Sequence, residues 1–486
     1  PVIHPWALFD HIDTRHYLGF GDLKKRLKEG ANILLPTEFL HGLYDGGHGA
    51  GLDDYWNVMR ESPLSAGGVL WCWADAAIER TDRDGELDTD GNHSADGIVG
   101  PYGEKEGSYY AIREIWSPIQ IPVERIPENF DGVLPLENRF YETNLKQCRF
   151  AWRLLTMNQM EELKASARGV IDAPSVAPGA QGELKIPVAG KKADVLEVVA
   201  VAPSGREISR WAWPLRAAEI SARENHQPAP VGGNLFHVKI GASEWRFSEK
   251  TGHLLECVSN GKALGLKNGP MLYAASGKTA LEFSNDWNAS ARKEKDSIVI
   301  SSANKVDGSR FQWTLSPDGT VELDYAFAPI SDSLSYCAVG FDLDEQTVSS
   351  KRWLGDGPFR VWGNRMRGPQ FGLWENEYND GVAGERWKLP EFKGVFSNID
   401  WMRLDMKNGA KLLIETEYGN VGVLRPVNGA APKRAKWAYP ETGGLFLFHK
   451  LPAVGTKFKD SAALGPRSQP RKLMGPISGS VVFSPR

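Results

Sequence analysis

Glu38, His41 and Trp71 are the residues in this chain whose types and spacing most suggest chemistry. Glu38 ends the apolar run Ile33-Leu34-Leu35-Pro36-Thr37, and His41 opens a glycine-rich stretch (Gly42, Gly46, Gly47, Gly49, Gly51). Such a run reads as a parallel strand buried on both faces, so Glu38 would project from its carboxyl end, where α/β barrels build their active sites. A carboxylate held there can attack an anomeric carbon, an imidazole three residues on can hydrogen-bond a sugar hydroxyl, and an indole can stack on the sugar ring. His4, Asp13, His16, Tyr17 and Asp75 also follow apolar runs and could converge on the same mouth, and six of the ten histidines lie in the first 100 residues. The plainer alternative is a set of polar residues scattered through loops.

Positioning these groups takes an α/β scaffold. Pro1–Trp6 and the stretch ending at Asp13–Tyr17 read as short strands, and Gly67–Ala74 as another buried strand. Gly21–Lys28, with Asp22 as a cap and Leu23 and Leu27 four apart, predicts a helix, as does Leu52–Glu61. This alternation belongs to an α/β barrel or a doubly wound sheet. About four strands appear before the pattern stops, whereas a (β/α)8 barrel needs eight strands over about 250 residues, so the expectation is half a barrel.

From Ile121 the pattern becomes alternating apolar and polar runs, as in Cys148–Leu155 and Val195–Val201, which suggests an immunoglobulin-like sandwich. Arg223–Pro230 reads as a linker before a larger all-β region. The expected division is 1–122, 123–222 and 223–486.

The 486 residues include 57 basic and 61 acidic side chains, for a formal net charge of −4. With no cationic surplus to neutralise phosphates, a nucleic-acid partner is not expected. No apolar run reaches the roughly 18 residues of a membrane helix, so no membrane span is expected. The 17 Trp exceed what a core of this size needs and favour a carbohydrate ligand, although aromatic cores of all-β domains would account for them equally well. Cys72, Cys148, Cys257 and Cys337 are far apart and read as buried free thiols, with no zinc site or disulfide framework. Asp82-Arg83-Asp84-Gly85 and Asp88–Asn92 do not fit the EF-hand template, and the glycine-rich stretch lacks the Lys-Ser/Thr of a phosphate-binding loop.

Thr37-Glu38-Phe39-Leu40-His41-Gly42, followed by Tyr55-Trp56 and Gly67-Gly68-Val69-Leu70-Trp71-Cys72-Trp73, resembles the end of the barrel in family 2 of the glycoside hydrolases, whose best-known members are bacterial β-galactosidases. Asp96-Gly97-Ile98-Val99 with Tyr109–Trp116 resembles the closing loop and last helix of that barrel. Leu136–Phe140 resembles the first strand of the next sandwich, and Trp245–Leu254 and Leu354–Pro358 resemble the carboxyl-terminal supersandwich. Phe39 stands where the family usually has Tyr, Asp45 where Asn is common, and Asp96 where an Asn lies near the sugar or a bound cation.

The resemblance implies a multidomain α/β plus all-β chain: the second half of a TIM barrel, an immunoglobulin-like sandwich and a β-galactosidase-type supersandwich. It further implies a retaining exo-β-glycosidase, a β-galactosidase by default, with a covalent glycosyl-enzyme on Glu38 and substrate contacts from His4, His16, Tyr17, His41, Trp71 and Asp96. No cofactor is required, and a structural or activating cation and a homo-oligomer are left open. The family draws its acid/base from an Asn-Glu pair on the fourth barrel strand, and no such pair follows an apolar strand in residues 1–120. The amino-terminal half of the same enzyme is therefore expected as a separate chain or a removed segment, and a periplasmic or secreted location is favoured by analogy. The rival reading is a non-catalytic carbohydrate-binding or scaffold protein on the same fold.

Overall fold

Strand β1 (Leu8–Phe9) pairs antiparallel with β2 (Ile12–His16), and β2 runs parallel to β3 (Ile33–Glu38), which sets His16 beside Glu38. The computed structural model describes residues 4, 6–42, 48–90, 94–127, 129–215, 225–377, 394–424, 440 and 442–486. Two more extended segments continue the parallel set through single bridges, Leu34 to Ser65, Phe39 to Leu70 and Ala74 to Val99. Helix α1 (Phe20–Glu29) follows β2, α2 (Leu52–Glu61) follows β3, and α3 (Gly107–Ile115) follows the last bridge.

The helices cover one side of these strands. Leu23, Leu27, Tyr55, Met59, Ile112 and Ile115 pack against Leu34, Phe39 and Leu70. Helix α1 begins at Phe20 after Gly19, so Asp22 is not its cap but lies in the first turn, where a carboxylate favours the positive end of the helix dipole.

The other side of the strands is open. Val69, Trp71 and Trp73 are 56%, 44% and 66% exposed, and Ile33, Leu8 and Trp6 are exposed as well. The apolar run Gly67–Ala74 therefore is not a strand buried on both faces, because helices α1 to α3 cover one side only and no described residue covers the other. Pro1–Ile3, Pro5 and Asp45 lie outside the described residues, and His4 and Trp6 are in no strand.

Beyond the parallel strands, β4 (Ala77–Arg80) and β5 (Glu86–Thr89) form a hairpin whose turn is Asp82-Arg83-Asp84-Gly85. Arg80 binds Asp82 at 2.6 Å and Asp88 at 3.1 Å, so two acids of this loop are held by its own arginine.

The rest of the chain is β-sheet. Ile119–Gln120, Val133–Asn138 and Gln181–Lys185 make one antiparallel sheet, and Glu207–Pro214, Val195–Val201, Arg149–Asn158 and Glu162–Asp172 make another. Both contribute to one core around Leu136, Phe150, Trp152, Val198 and Trp211. Ala229–Val231 already pairs with Asn234–Ile240, so the expected linker ends in a strand; its Arg223 and Glu224 lie outside the described residues.

From there to Pro485 the described strands join into one large, branched antiparallel sheet around a second core. Most tryptophans sit in these β cores, as the plainer reading of the Trp surplus required; Trp245, Trp313, Trp353, Trp362 and Trp401 are fully buried. Among the described residues, the exposed tryptophans (Trp6, Trp71, Trp73, Trp116) all fall before residue 120. Cys148, Cys257 and Cys337 are buried free thiols, whereas Cys72 is only half-buried. No described helix is long and apolar enough to cross a membrane.

Trp313 anchors the large core. Its indole N–H donates to the Gly252 carbonyl at 3.1 Å, and its ring lies 5.2 Å from Phe247 and 6.1 Å from both Phe341 and Phe483. Trp313→Ala is expected to cost about 3–5 kcal/mol through the cavity and the orphaned carbonyl, read as a lower urea midpoint.

Imidazoles held in the interior weaken the fold in acid. Burial holds His48, His253 and His449 at a pKa of about 4. Each remains neutral in the fold but takes a proton when unfolded below about 6.5, so stability falls as pH drops from 6.5 toward 4, by up to about 3 kcal/mol per group. Asp356 acts in the opposite sense: burial raises it to about 6, so it binds its proton more readily in the fold and favours folding as pH falls through 6. Asp54 and Glu114 are raised as Asp356 is, while His41, Glu137, Glu197 and Glu207 are held below their ordinary values and lose stability in acid as the three imidazoles do. The groups that lose stability outnumber those that gain it, so the urea midpoint at pH 5 should lie below that at pH 7.5, and an equal or higher midpoint would contradict this.

Candidate functional site

Glu38 sits at the carboxyl end of β3, in a cleft of about 920 Å³ at the end of the parallel strands. The Tyr17 hydroxyl donates to Glu38 Oε2, and His16 Nε2 lies 3.2 Å from the same oxygen. Among the described residues, Glu38 Oε1 takes no hydrogen bond, which leaves one carboxylate oxygen for a ligand. Tyr17 adopts φ of 51° directly after β2, which turns the chain at the cleft. Burial, then the hydrogen bond to Glu38, pushes the Tyr17 phenol well above its ordinary range, so it remains a donor at neutral pH.

A second cluster forms the neighbouring wall. Asp96 Oδ2 lies 3.1 Å from Lys457 Nζ and 3.4 Å from His41 Nε2, while Cys72 Sγ is 3.4 Å from Asp96 Oδ1. His41 Nδ1 faces the Gly42 carbonyl at 2.8 Å, which can only accept, so Nδ1 carries the proton. Burial lowers the pKa of His41, which leaves Nε2 unprotonated as an acceptor. Burial pushes the Cys72 thiol up to about 12, so it is no nucleophile at neutral pH.

The cluster depends on a close approach of two chain segments. Asp75 Oδ1 accepts from the Gly97 N–H at 2.8 Å. A Cβ on Gly97 would lie 2.2 Å from Asp75 N, so glycine is required for the Asp96 segment to dock on the strand that carries Trp71.

Aromatic rings shape the cleft. His41 and Trp71 are stacked with centroids 6.4 Å apart, and Phe458 lies 4.8 Å from both Tyr17 and His41. Each ring presents an apolar face or edge near the charged groups, an arrangement suited to the mixed CH and OH surface of a sugar.

The structure thus brings His16, Tyr17, Glu38, His41, Trp71 and Asp96 to one cleft, with Asp75 beside them. Two of the sequence candidates lie elsewhere. His4 is exposed and does not line the cleft; its carbonyl accepts from the Thr14 hydroxyl. Asp13 is buried and paired with Arg15 at 2.9 Å and with Arg26, which makes it a structural ion pair.

Residues 239–425 match the family model described as β-galactosidase small chain. A β-galactosidase of Priestia megaterium is 21% identical over 472 residues, covering 85% of this chain and 44% of the relative. A β-galactosidase of Vibrio vulnificus is 24% identical over 268 residues, covering 47% of this chain and 24% of the relative. The chain is β-galactosidase-like in its carboxyl-terminal region.

It spans less than half the length of these curated relatives. Among solved structures, an exo-chitosanase of Amycolatopsis orientalis aligns at 11% identity over 75% of this chain and 33% of its own, with a TM-score of 0.20. A putative mutarotase of Salmonella typhimurium aligns at 10% identity over 51% and 89%, with a TM-score of 0.27. At scores this low, neither likeness bears on the site or its chemistry.

Lys457 and Phe458 escaped the sequence reading of this β-galactosidase-like chain. Both reach the cleft from some 360 residues beyond Asp96, and no local pattern ties a Lys-Phe pair in a polar loop to a distant strand end. Lys457 also bears on the cation that the Asp96 position raised. Its ammonium already holds Asp96 Oδ2, so the residues present do not fit a cation at that oxygen. Among the described residues no group of three or more His, Cys, Asp or Glu side chains is placed to hold a metal.

Proposed function

We propose that this cleft is the sugar-binding half of a retaining exo-β-glycosidase site, with Glu38 as the nucleophile and a β-galactoside as the substrate. The observation that carries the reading is the Glu38 carboxylate at the end of a parallel strand, held through Oε2 by Tyr17 and His16, with Oε1 left open in an aromatic-walled cleft. Oε1 attacks the anomeric carbon as the glycosidic C–O bond breaks and the departing oxygen takes a proton from the general acid, Tyr17 and His16 fix the attack geometry, and water then displaces the Glu38 carboxylate to release the sugar. Neutral His41 accepts a sugar hydroxyl, Lys457 and Asp96 add a donor and an acceptor, and Trp71 and Phe458 flank the ring.

Retaining hydrolysis also needs a protonated carboxyl group about 5 Å from the nucleophile. Burial raises the carboxyls of Asp54, Glu114 and Asp356, and none of these lines the cleft. Asp75, Asp88, Asp90 and Asp96 line it as well; Asp75 accepts from the Gly97 N–H, Asp88 pairs with Arg80 and Asp96 holds Lys457. In this proposal the acid comes from polypeptide that covers the open face of Val69, Trp71 and Trp73, which no described residue covers.

On this reading, residues 1–122 are the second half of a TIM barrel completed by that polypeptide, 123–222 an immunoglobulin-like sandwich and 223–486 a supersandwich. Assays of the native assembly on a panel of nitrophenyl β-glycosides test the proposal. Fastest turnover of the β-galactoside, with the β-anomer of the sugar released first, is the expected result. Turnover of no β-glycoside, or release of the α-anomer, would overturn it.

A further inference from the structure

At the other end of the same parallel segments lies a second groove of about 890 Å³, lined in part by Ser65, Ala66 and Gly67. It shares no lining residue with the Glu38 cleft, and Trp71 lies roughly 13 Å of extended chain beyond Gly67 and roughly 20 Å beyond Ser65, so the two are separate. Its walls come from the carboxyl end of α2, the residues after α3, and the turn after Val133–Asn138, where the helical layer meets the smaller β core. Grooves at such seams are common ligand sites.

Two observations define what this groove would hold. The first is aromatic surface left in water: Tyr141 is 94% exposed, and Trp116, 36% exposed, packs at 5.5 Å against Trp56. The second is charge. Among the described residues lining the groove are Arg60 and Arg139 and no acid. Both guanidiniums share a single carboxylate, Glu137, at 3.0 Å and 2.7 Å, so one positive charge is left over, and Arg139 Nε is buried without a hydrogen-bond partner. An aromatic wall beside an under-neutralised pair of arginines suits a ligand with an apolar ring face and an anionic substituent.

We infer that this groove is a second saccharide site, taking an oligosaccharide that bears a carboxylate or a sulfate. The pyranose CH face lies on Trp116 and Tyr141, and the anion meets Arg60 and Arg139. The inference rests on the carbohydrate reading of the chain but not on Glu38 or on catalysis.

Titration of the full chain with three probes tests it by calorimetry: a galacturonate tetrasaccharide, a sulfated galactan tetrasaccharide and the neutral β-1,4-galactotetraose. At least one anionic probe is expected to bind ten-fold or more tighter than the neutral one, and to weaken at least five-fold between 50 mM and 500 mM salt; which probe binds tells carboxylate from sulfate. Tyr141→Ala and Arg60→Gln, both at the groove surface, should each weaken binding at least ten-fold. Binding of no probe, equal or tighter binding of the neutral one, or full affinity in both variants would overturn the inference. Covalent labelling of Glu38 by a fluorinated glycoside should be the same in both variants, so a failure here and a failure of the nucleophile assignment read out separately.

Discussion

Replacing Glu38 with Gln is expected to lower turnover of a nitrophenyl β-galactoside by roughly 10⁴-fold or more, equivalent to about 5 kcal/mol or more of transition-state stabilisation. The amide keeps the size of the carboxylate and can still accept from Tyr17, so the fold and the cleft should survive. What is lost is the oxygen nucleophile, and with it the covalent intermediate. A companion variant, Glu38→Gly, opens space on that side of the sugar. Azide should then attack from the vacated position and give an α-glycosyl azide, whereas a glutamate that only bound substrate would give no such product. Tyr17→Phe should fall between the extremes, because it removes the hydroxyl that donates to Oε2 and leaves His16 within 3.2 Å of that oxygen.

The second large effect lies far from the cleft in sequence and concerns how the last β region is attached. Glu114, on α3, is buried and meets Arg367 at 3.0 Å and the Gly368 N–H at 2.7 Å. Arg367 also approaches Asp53 on α2 at 3.5 Å, and Arg467 binds Asp53 as well. Desolvation dominates at Glu114 and raises its pKa in spite of these partners. Arg367 is partly exposed, so Arg367→Ala should cost about 1–3 kcal/mol, since it leaves a largely buried carboxylate with only the Gly368 N–H. The double variant Arg367→Ala with Glu114→Gln should recover much of that loss in urea denaturation. If the single and double variants were equally unstable, the pair would not be the cause.

Much of this architecture could be read from local pattern, and the reasons are physical. Leu52–Glu61 forms the helix expected of it over the same residues, its periodicity matching its burial, and Val195–Val201 forms the expected strand, although it is buried almost throughout rather than on alternate residues. The grouping of His16, Tyr17, Glu38 and Trp71 was also legible, since parallel strands bring their carboxyl ends to one edge.

Three features were not legible. An apolar run such as Gly67–Ala74 reports that a surface needs covering, not what covers it, so the open face of Val69, Trp71 and Trp73 could not be told from a buried strand. Lys457 and Phe458 join the site through tertiary packing alone. Among the described residues the Trp surplus mixes two populations: a majority in the β cores and a few exposed rings in the first 120 residues. Composition cannot separate these, and only the second population bears on ligand binding.

Asp96 shows how a departure from a family pattern can be read once packing is known. A carboxylate at this buried position is costly without a partner. Lys457 supplies the partner from the last β region, so the substitution and the distant lysine form one unit.

Incubation of the native assembly with a 2-deoxy-2-fluoro-β-galactoside, followed by peptide mass spectrometry, tests the role of Glu38 most directly. The fluorine slows breakdown of the glycosyl-enzyme, so the sugar remains on the nucleophile. With Glu38 as that nucleophile, the peptide that carries it should gain one fluorosugar, and the same peptide of Glu38→Gln should gain none. A label on a different carboxylate, or no label on the wild-type protein with the galacto-, gluco- and manno-configured reagents, would contradict the assignment.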